Sequence, residues 1–248
     1  MQEILLHTQE GVLTLTLNRV DKKNAITAAM YAEMACALKQ ATQDPAVRVV
    51  LIQGHETVFS AGNDLADFMN QPPQGADSSV FHFLQAVSTF PKPLVAAVSG
   101  PAVGIGSTML LHCDLVVAGD NAAFSMPFVN LGLCPEAASS LLVPQRLGHL
   151  RAAQMLMLGD PIDAQTALEW GWVNAVLPPT EVNAQVERVA IKLAAKPLDS
   201  VVQTKRLIKM TWASQVGDRM NQEAALFGRL LSEPAAKQAF AAFMSKRA

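Results

Sequence analysis

Leu94-Val95-Ala96-Ala97-Val98-Ser99-Gly100-Pro101-Ala102-Val103-Gly104-Ile105-Gly106-Ser107-Thr108 is the stretch that decides the fold class. Its first five residues form a short apolar run between Pro93 and Gly100, the pattern of a strand buried on both faces. A turn of small residues follows, and the chain continues into a helical stretch that ends near Cys113. The N–H groups of the turn therefore lie at a helix N-terminus. Roughly half a positive charge resides there, and anionic oxygen is favoured. Neither a G-x-G-x-x-G pattern nor a following Gly-Lys-Ser/Thr is present, which disfavours a nucleotide-phosphate loop.

Upstream, Ile4 to His7 and Val12 to Asn18 flank Glu10-Gly11, and the second run alternates as a hairpin strand does. Thr27 is placed to cap a helix whose apolar positions Met30, Met34, Ala37, Leu38 and Ala41 recur at helical spacing until Asp44-Pro45. Val49 to Ile52 reads as another buried strand, Ser79 to Ser88 as a helix, and Leu115 to Val117 as a further strand. The order strand, strand, helix repeats, so the class is α/β. Beyond Pro179, the segments Glu181–Ala195, Leu198–Lys209, Gly217–Leu231 and Ala235–Met244 carry helical periodicity alone. The reading is a core over residues 1–190 and a helical region over 191–248. No low-complexity linker separates them.

Composition bounds the function. The 248 residues are 50% hydrophobic and 16% charged, a globular balance large enough to bury a core without disulfides. A formal net charge of -2 and scattered Lys and Arg, apart from Lys205-Arg206 and Lys246-Arg247, supply no basic field, so nucleic acid is not an expected partner. Cys36, Cys113 and Cys134 show no metal spacing, and their odd number suits a reducing compartment. His7, His55, His82, His112 and His149 are likewise not spaced as ligands. No metal and no cofactor are expected. There is no signal-like start, no span of ~20 apolar residues and no Ser-Lys-Leu ending, so the expectation is a cytoplasmic protein away from membranes.

A second small-residue turn, Val58-Phe59-Ser60-Ala61-Gly62-Asn63-Asp64-Leu65, also follows a buried strand. Its small side chains let a ligand approach the main chain, although an ordinary strand exit explains the octapeptide equally well. Taken with Asn18-Arg19, Asn24-Ala25, Pro91-Lys92-Pro93, Cys113-Asp114, Phe124 to Pro127, Leu131-Gly132, Gly159 to Ala164 and Gly171 to Asn174, the two turns make the chain resemble the crotonase (enoyl-CoA hydratase/isomerase) superfamily almost end to end. The resemblance implies a spiral of strand-strand-helix repeats with a C-terminal helical trimerisation region, assembling as a homotrimer or a dimer of trimers. It implies an acyl-CoA thioester as substrate and an oxyanion hole made by the N–H groups of Ala61 and Ile105. Each such donor is worth ~3 kcal/mol in the transition state. Ser60, Gly62, Asn63, Asp64, Leu65, Gly104, Phe128 and Leu133 are the implied substrate-binding residues.

In hydratases of this family two glutamates activate water, and the matching places here hold Thr108 and Phe128. Neither takes a proton at neutral pH. Glu136, in Leu133-Cys134-Pro135-Glu136-Ala137-Ala138-Ser139-Ser140, is the one carboxylate between Asp120 and Asp160. Pro followed by Glu also describes an ordinary helix start. The segment nevertheless resembles the 3-enoyl-CoA to 2-enoyl-CoA isomerases, in which a glutamate at this place is the acid/base. The expected activity is therefore double-bond migration with Glu136 as proton carrier, in an environment of Phe128, Leu131, Leu133 and Leu141 that raises its proton affinity. The alternatives are a hydratase or other enolate-forming acyl-CoA enzyme, and a non-catalytic acyl-CoA binding protein. Cys134 is read as a small apolar filler, His112 as packing behind the hole, and Trp170 and Trp172 as core or interface. Lys22, Lys23, Lys205 and Lys209 are read as surface residues within possible reach of CoA phosphates. The acyl pocket is expected around Phe68, Met69, Phe81 and Phe83, near a loop at Gln71 to Gly75.

Overall fold

A computed structural model describes residues 2–70 and 77–245; the Gln71 to Gly75 loop and the Lys246-Arg247 pair lie outside the described residues. The chain opens with the hairpin β1 (Ile4–Gln9) and β2 (Val12–Leu17), antiparallel with Ile4 opposite Leu17. Glu10 and Gly11 both have positive φ, the two-residue turn that matches strand twist. Helix α1 (Ala28–Gln43) is capped by Thr27, whose hydroxyl accepts from the Met30 N–H at 3.2 Å.

Next come β3 (Val49–Gln53), α2 (Leu65–Asn70), α3 (Ser79–Ser88), β4 (Leu94–Val98) and β5 (Pro101–Val103). Helix α4 (Ile105–Thr108) runs on as a 3-10 turn through His112, and β6 (Leu115–Gly119) and β7 (Ala123–Ser125) follow. The remainder is α5 (Ser139–Leu147), α6 (His149–Ala153), β8 (Ile162–Asp163), α7 (Ala164–Glu169), β9 (Ala175–Leu177), α8 (Pro179–Ala194), α9 (Leu198–Lys209), α10 (Ala213–Ser232) and α11 (Pro234–Ser245).

The strands build two sheets, ordered β1-β2-β3-β4-β6-β9 and β5-β7-β8. From β2 to β9 the larger sheet is parallel, and β5 to β7 is parallel as well. In the turns that carry β4-β5 and β6-β7, one strand enters each sheet before a helix returns the chain, which is the expected spiral. The central strands β3, β4 and β6 of the larger sheet are buried on both faces. Val50, Ile52, Leu94, Ala96, Val98 and Val116 point into the main core, while Val49, Leu51, Val95, Ala97 and Val117 pack beneath Val182, Val186, Ala190 and Ala194 of α8. Two-sided burial explains why these strands read as unbroken apolar runs.

Helix α8 thus belongs with the sheet, and a boundary at residue 190 would cut it four residues before its end at Ala194. The last two helices fold back over the core: Phe227 of α10 and Phe240 of α11 each lie 6.2 Å from the Phe68 ring of α2. No described helix is long and apolar enough to cross a membrane.

Candidate active site

The two small-residue turns lie side by side. Ser60 forms a parallel bridge with Ala102, and a Cβ added at Gly106 would stand 3.0 Å from the Ser60 carbonyl oxygen. At Gly62, where φ is +89°, an added Cβ would stand 2.9 Å from the Val103 carbonyl oxygen. Glycine at these places lets one backbone rest on the other.

Accounting for the N–H groups of the first turn revises the sequence expectation. Ser60 N–H donates to Pro101 O at 3.0 Å, Ala61 N–H to Lys23 O at 2.9 Å, Gly62 N–H to Ser60 Oγ at 3.1 Å, and Asp64 N–H to Ile26 O at 2.9 Å. The Ala61 donor is therefore already consumed within the protein and is not open to a ligand. Asn63 differs. Its bridge with Ile26 uses the flanking Gly62 carbonyl and Asp64 N–H, so its own N–H points away and has no acceptor among the described residues. In the second turn Val103 N–H goes to Ser60 O, Gly104 N–H to Ser125 O, and Ser107 and Thr108 N–H to Gly104 O, each at 2.9 Å. The Ile105 N–H, at the start of α4, has no acceptor among the described residues, while the Ile105 side chain is fully buried in the core.

Glu136 is set by an unusual piece of backbone. Ala137 and Ala138 both have left-handed φ, +59° and +56°, a conformation costing roughly 1–2 kcal/mol per non-glycine residue. The turn is pinned at every step. Glu136 O accepts from the Ser139 N–H at 2.9 Å and Ser139 Oγ at 2.6 Å, and Ala137 O accepts from His112 Nε2 at 2.9 Å. The Ala138 and Ser140 N–H groups donate to the Glu223 carboxylate of α10 at 2.6 and 2.9 Å.

The Glu136 side chain is buried, and its Oε1 has no hydrogen-bond partner among the described residues. It looks into a cavity of about 420 Å³ whose walls include Phe68, Phe81, Leu84, Met220 and Phe227. Burial, and after it the nearby Glu223 charge, push the Glu136 carboxyl up to about 8; Thr108 offsets this slightly. Thr108 Oγ1 faces the carboxyl and is itself buried with no other hydrogen-bond partner among the described residues. Tyr31 of α1 stands close enough that the Glu136 charge, added to burial, holds its phenol well above the ordinary range. The Tyr31 hydroxyl donates to Asn63 Oδ1 and so bridges from the Glu136 side to the first turn.

The other expected site residues divide. Phe128 is buried beside Gly104, 6.5 Å from the Phe227 ring, and Leu133 is buried nearby. Ser60 has a structural part, donating its hydroxyl to Asn24 O at 2.8 Å. Asp64 pairs with Arg19 at 2.7 Å and accepts the Ala66 and Asp67 N–H groups at the start of α2, where Leu65 is the first helical residue. Of the residues expected around the acyl pocket, Phe68 and Phe81 line the cavity, Met69 is half exposed, and Phe83 is in the core against Tyr31. Lys205 and Lys209 are not open cations. Lys205 is buried on Asp114 at 2.7 Å, and Lys209 donates to His112 O at 2.8 Å. Lys22 and Lys23 are exposed. Cys134 is half buried, and burial pushes its thiol up, away from nucleophilic use. Trp172 is core, stacked edgewise on Phe124.

Sequence reasoning missed Glu223 and Tyr31. A signal for Glu223 existed: Met220, Glu223 and Phe227 are the buried positions of α10, so an acid interrupts an apolar stripe of helical period.

Comparison with known proteins agrees with this architecture. The family model described as enoyl-CoA hydratase/isomerase matches residues 7–248. The chain is 33% identical to the 1,2-epoxyphenylacetyl-CoA isomerase of Escherichia coli K12, over all of this chain and 97% of that protein. It is 37% identical to enoyl-CoA delta isomerase 2 of Rattus norvegicus, over 93% of this chain and 60% of that protein. Among solved structures, that of Pseudomonas aeruginosa OdaA superposes with a TM-score of 0.96 at 46% identity, covering 98% of this chain and 99% of the other. With the spiral, the paired turns and a match over nearly its whole length, the chain belongs to the enoyl-CoA hydratase/isomerase family.

Proposed function

We propose that this acyl-CoA enzyme moves the double bond of a 3-enoyl-CoA to the 2-position, with Glu136 as the single proton carrier. The observation that carries the reading is the Glu136 carboxyl itself. It is buried at the wall of an apolar cavity, its Oε1 has no partner, and its proton affinity is raised to about 8. A group so poised accepts and returns a proton near working pH. The ionised carboxylate removes a proton from C2 of the thioester. The electron pair passes to the thioester oxygen, giving a dienolate, and the oxygen is received by the open N–H groups of Asn63 and Ile105. Glu136 then delivers the same proton to C4, so no water is consumed. The two places that hold carboxylates in hydratases are Thr108 and Phe128, which supports migration over hydration.

A second reading has one observation in its favour: Glu223 also lines the cavity, so a second carboxylate is present for water addition. Against it, Glu223 already receives three donors, the Ala138 N–H, the Ser140 N–H and the Ser140 hydroxyl. Wild-type protein assayed with 3-hexenoyl-CoA for migration and with 2-hexenoyl-CoA for water addition separates the two. Glu136→Gln is expected to lose migration by ~10³-fold or more while retaining CoA-ester binding. Turnover retained in that variant sinks the assignment, and binding without turnover in the wild type points to a non-catalytic acyl-CoA protein. The exposed apolar residues Leu207, Ile208, Met210 and Trp212 on and after α9 support self-association, as a homotrimer or a dimer of trimers.

A further inference from the structure

We propose that Glu223, carried in by α10 from the C-terminal helices, is a positioning residue that locks the left-handed Ala137-Ala138 turn and thereby aims the Glu136 carboxyl into the cavity. The proposal rests on the reading of Glu136 as proton carrier. It adds a second residue to that site, one that acts through Glu136 rather than on substrate.

Three observations carry it. First, one carboxylate gathers the two main-chain donors that bracket the start of α5: Ala138 N–H to Oε2 at 2.6 Å and Ser140 N–H to Oε1 at 2.9 Å. The Ser140 hydroxyl also donates to Oε1, and Arg219 Nη1 donates to that hydroxyl oxygen at 3.1 Å. An acid 85 residues away from Ala138 in sequence thus does what a local capping residue does at an ordinary helix start, where Ala138 has no side-chain acceptor to offer. Second, one of the two pinned residues, Ala138, has strained φ, as does Ala137 before it, so the strain lies immediately after Glu136 and between it and the Glu223 contacts. Such conformations persist only where the surroundings over-determine them. Third, Glu223 is buried on the apolar face of α10 and lines the same cavity as Glu136. A buried acid on an apolar stripe is destabilising unless its partners require it.

Its charge reaches Glu136 as well. Burial is the first cause of the raised Glu136 proton affinity, and the Glu223 charge is the second. The groups facing the pair are Thr108 and Tyr31 on the Glu136 side, Arg219 on α10, Cys134 on the preceding loop, and His112, which is held neutral. Burial raises the Glu223 carboxyl, and the Ser140 hydroxyl, the Ser140 and Ala138 N–H groups and Arg219 act against that burial in favour of its charged form. In this arrangement Glu223, with its three donors, is assigned the fixed negative charge, and Glu136 the mobile proton.

The test compares wild type with Glu223→Gln, Glu223→Asp and Glu136→Gln. It reads kcat and KM against pH for 3-hexenoyl-CoA, and in parallel the carboxyl titration of ¹³C-glutamate-labelled protein. The Glu136 resonance is assigned by its loss in Glu136→Gln. Glu223→Gln keeps the shape but loses the charge and one acceptor. Its Glu136 midpoint is expected to fall by about one pH unit, and its kcat by about tenfold with KM little changed. Glu223→Asp keeps the charge and withdraws the reach, so its midpoint should stay near wild type while kcat falls. A Glu223→Gln enzyme with unmoved midpoint and kcat within about twofold of wild type overturns the proposal. If Glu223→Gln does not fold, Glu223→Asp decides: wild-type kcat overturns the proposal, and reduced kcat at unchanged binding supports it. An active Glu136→Gln enzyme instead defeats the proton-carrier reading, whatever the Glu223 variants do.

Discussion

The Tyr31 hydroxyl donates to Asn63 Oδ1, so a helix from the start of the chain holds the turn whose Asn63 N–H has no acceptor among the described residues. Tyr31 is almost fully buried, and burial keeps its phenol protonated, so it remains a donor throughout the working range. Tyr31→Phe retains the ring packing on Phe83 at 5.6 Å and removes only that hydrogen bond. Asn63 would then turn more freely about the position of its N–H. The expected result is a fall in kcat of about tenfold with KM nearly constant, read from steady-state kinetics on 3-hexenoyl-CoA. Equal kcat in the variant would show that the Asn63 side chain does not position the turn.

Glycines in the two turns differ in what they prevent. A Cβ at Gly62 meets the Val103 carbonyl oxygen at 2.9 Å in addition to its unfavourable φ of +89°. At Gly104, φ is +56° but the nearest side-chain atom is Phe128 Cε1 at 3.9 Å, an ordinary contact. Gly62→Ala must push the turns apart, and loss of one oxyanion donor alone is worth about 10²–10³ in kcat. Gly104→Ala should cost only backbone strain, about 2–3 kcal/mol of stability, because φ +56° with ψ −119° is a conformation kept nearly to glycine. Denaturant midpoints and kcat for the pair check this, and similar kinetic damage in both variants would refute the close approach as the cause.

Glu136 links stability to activity through pH. Its folded value of about 8 lies above the ordinary 4.5, so between those values the unfolded chain gives up a proton that the native state keeps. Stability from this group is complete below 4.5 and is lost as pH rises toward 8. Glu136→Gln removes the dependence. The stability of the variant relative to wild type should improve by about 3 kcal/mol between pH 4.5 and 7, in denaturant titrations at the two values. Over the same range wild-type activity should rise with pH, because the base must be ionised. A relative stability that does not change with pH would mean that Glu136 titrates normally.

Most of the fold was legible because the central strands of the large sheet are covered on both faces, which leaves unbroken runs such as Val49–Ile52 and Leu94–Val98. The short strands β5, β7, β8 and β9 were not. Two or three residues carry no period; β5, β7 and β8 find their place beside the Ser60–Ala102 bridge and β9 finds its own on β6. Glu136 was legible as a lone carboxylate beside Pro135. The donor in the first turn was placed two residues early, because Ala61 and Asn63 are told apart only by a carbonyl of Lys23, 38 residues away from Ala61 in sequence. Glu223 was invisible as a partner for the same reason: its contacts with Ala138 and Ser140 span more than 80 residues.

His112 supports the Glu136 turn from behind, and pH offers a way to isolate that support. Its Nε2 lies 2.9 Å from the Ala137 carbonyl oxygen, which can only accept, so Nε2 carries the proton of a neutral ring. Burial, then the charge of Lys209, push His112 down to about 3 from the ordinary 6.5. Below 6.5 the unfolded chain therefore binds a proton that the native state refuses. The stability this group supplies is complete above that value and is lost as pH falls toward 3. His112→Leu leaves a buried carbonyl without its donor, a cost of about 1–3 kcal/mol at pH 7. The variant has no such histidine to protonate, so the wild-type advantage should shrink by about 2 kcal/mol between pH 6.5 and pH 5 and nearly close. Denaturant titrations at pH 7 and pH 5 measure the gap. A gap that stays constant would mean that His112 takes up its proton as readily in the native state as in the unfolded chain, so that burial does not hold the ring neutral.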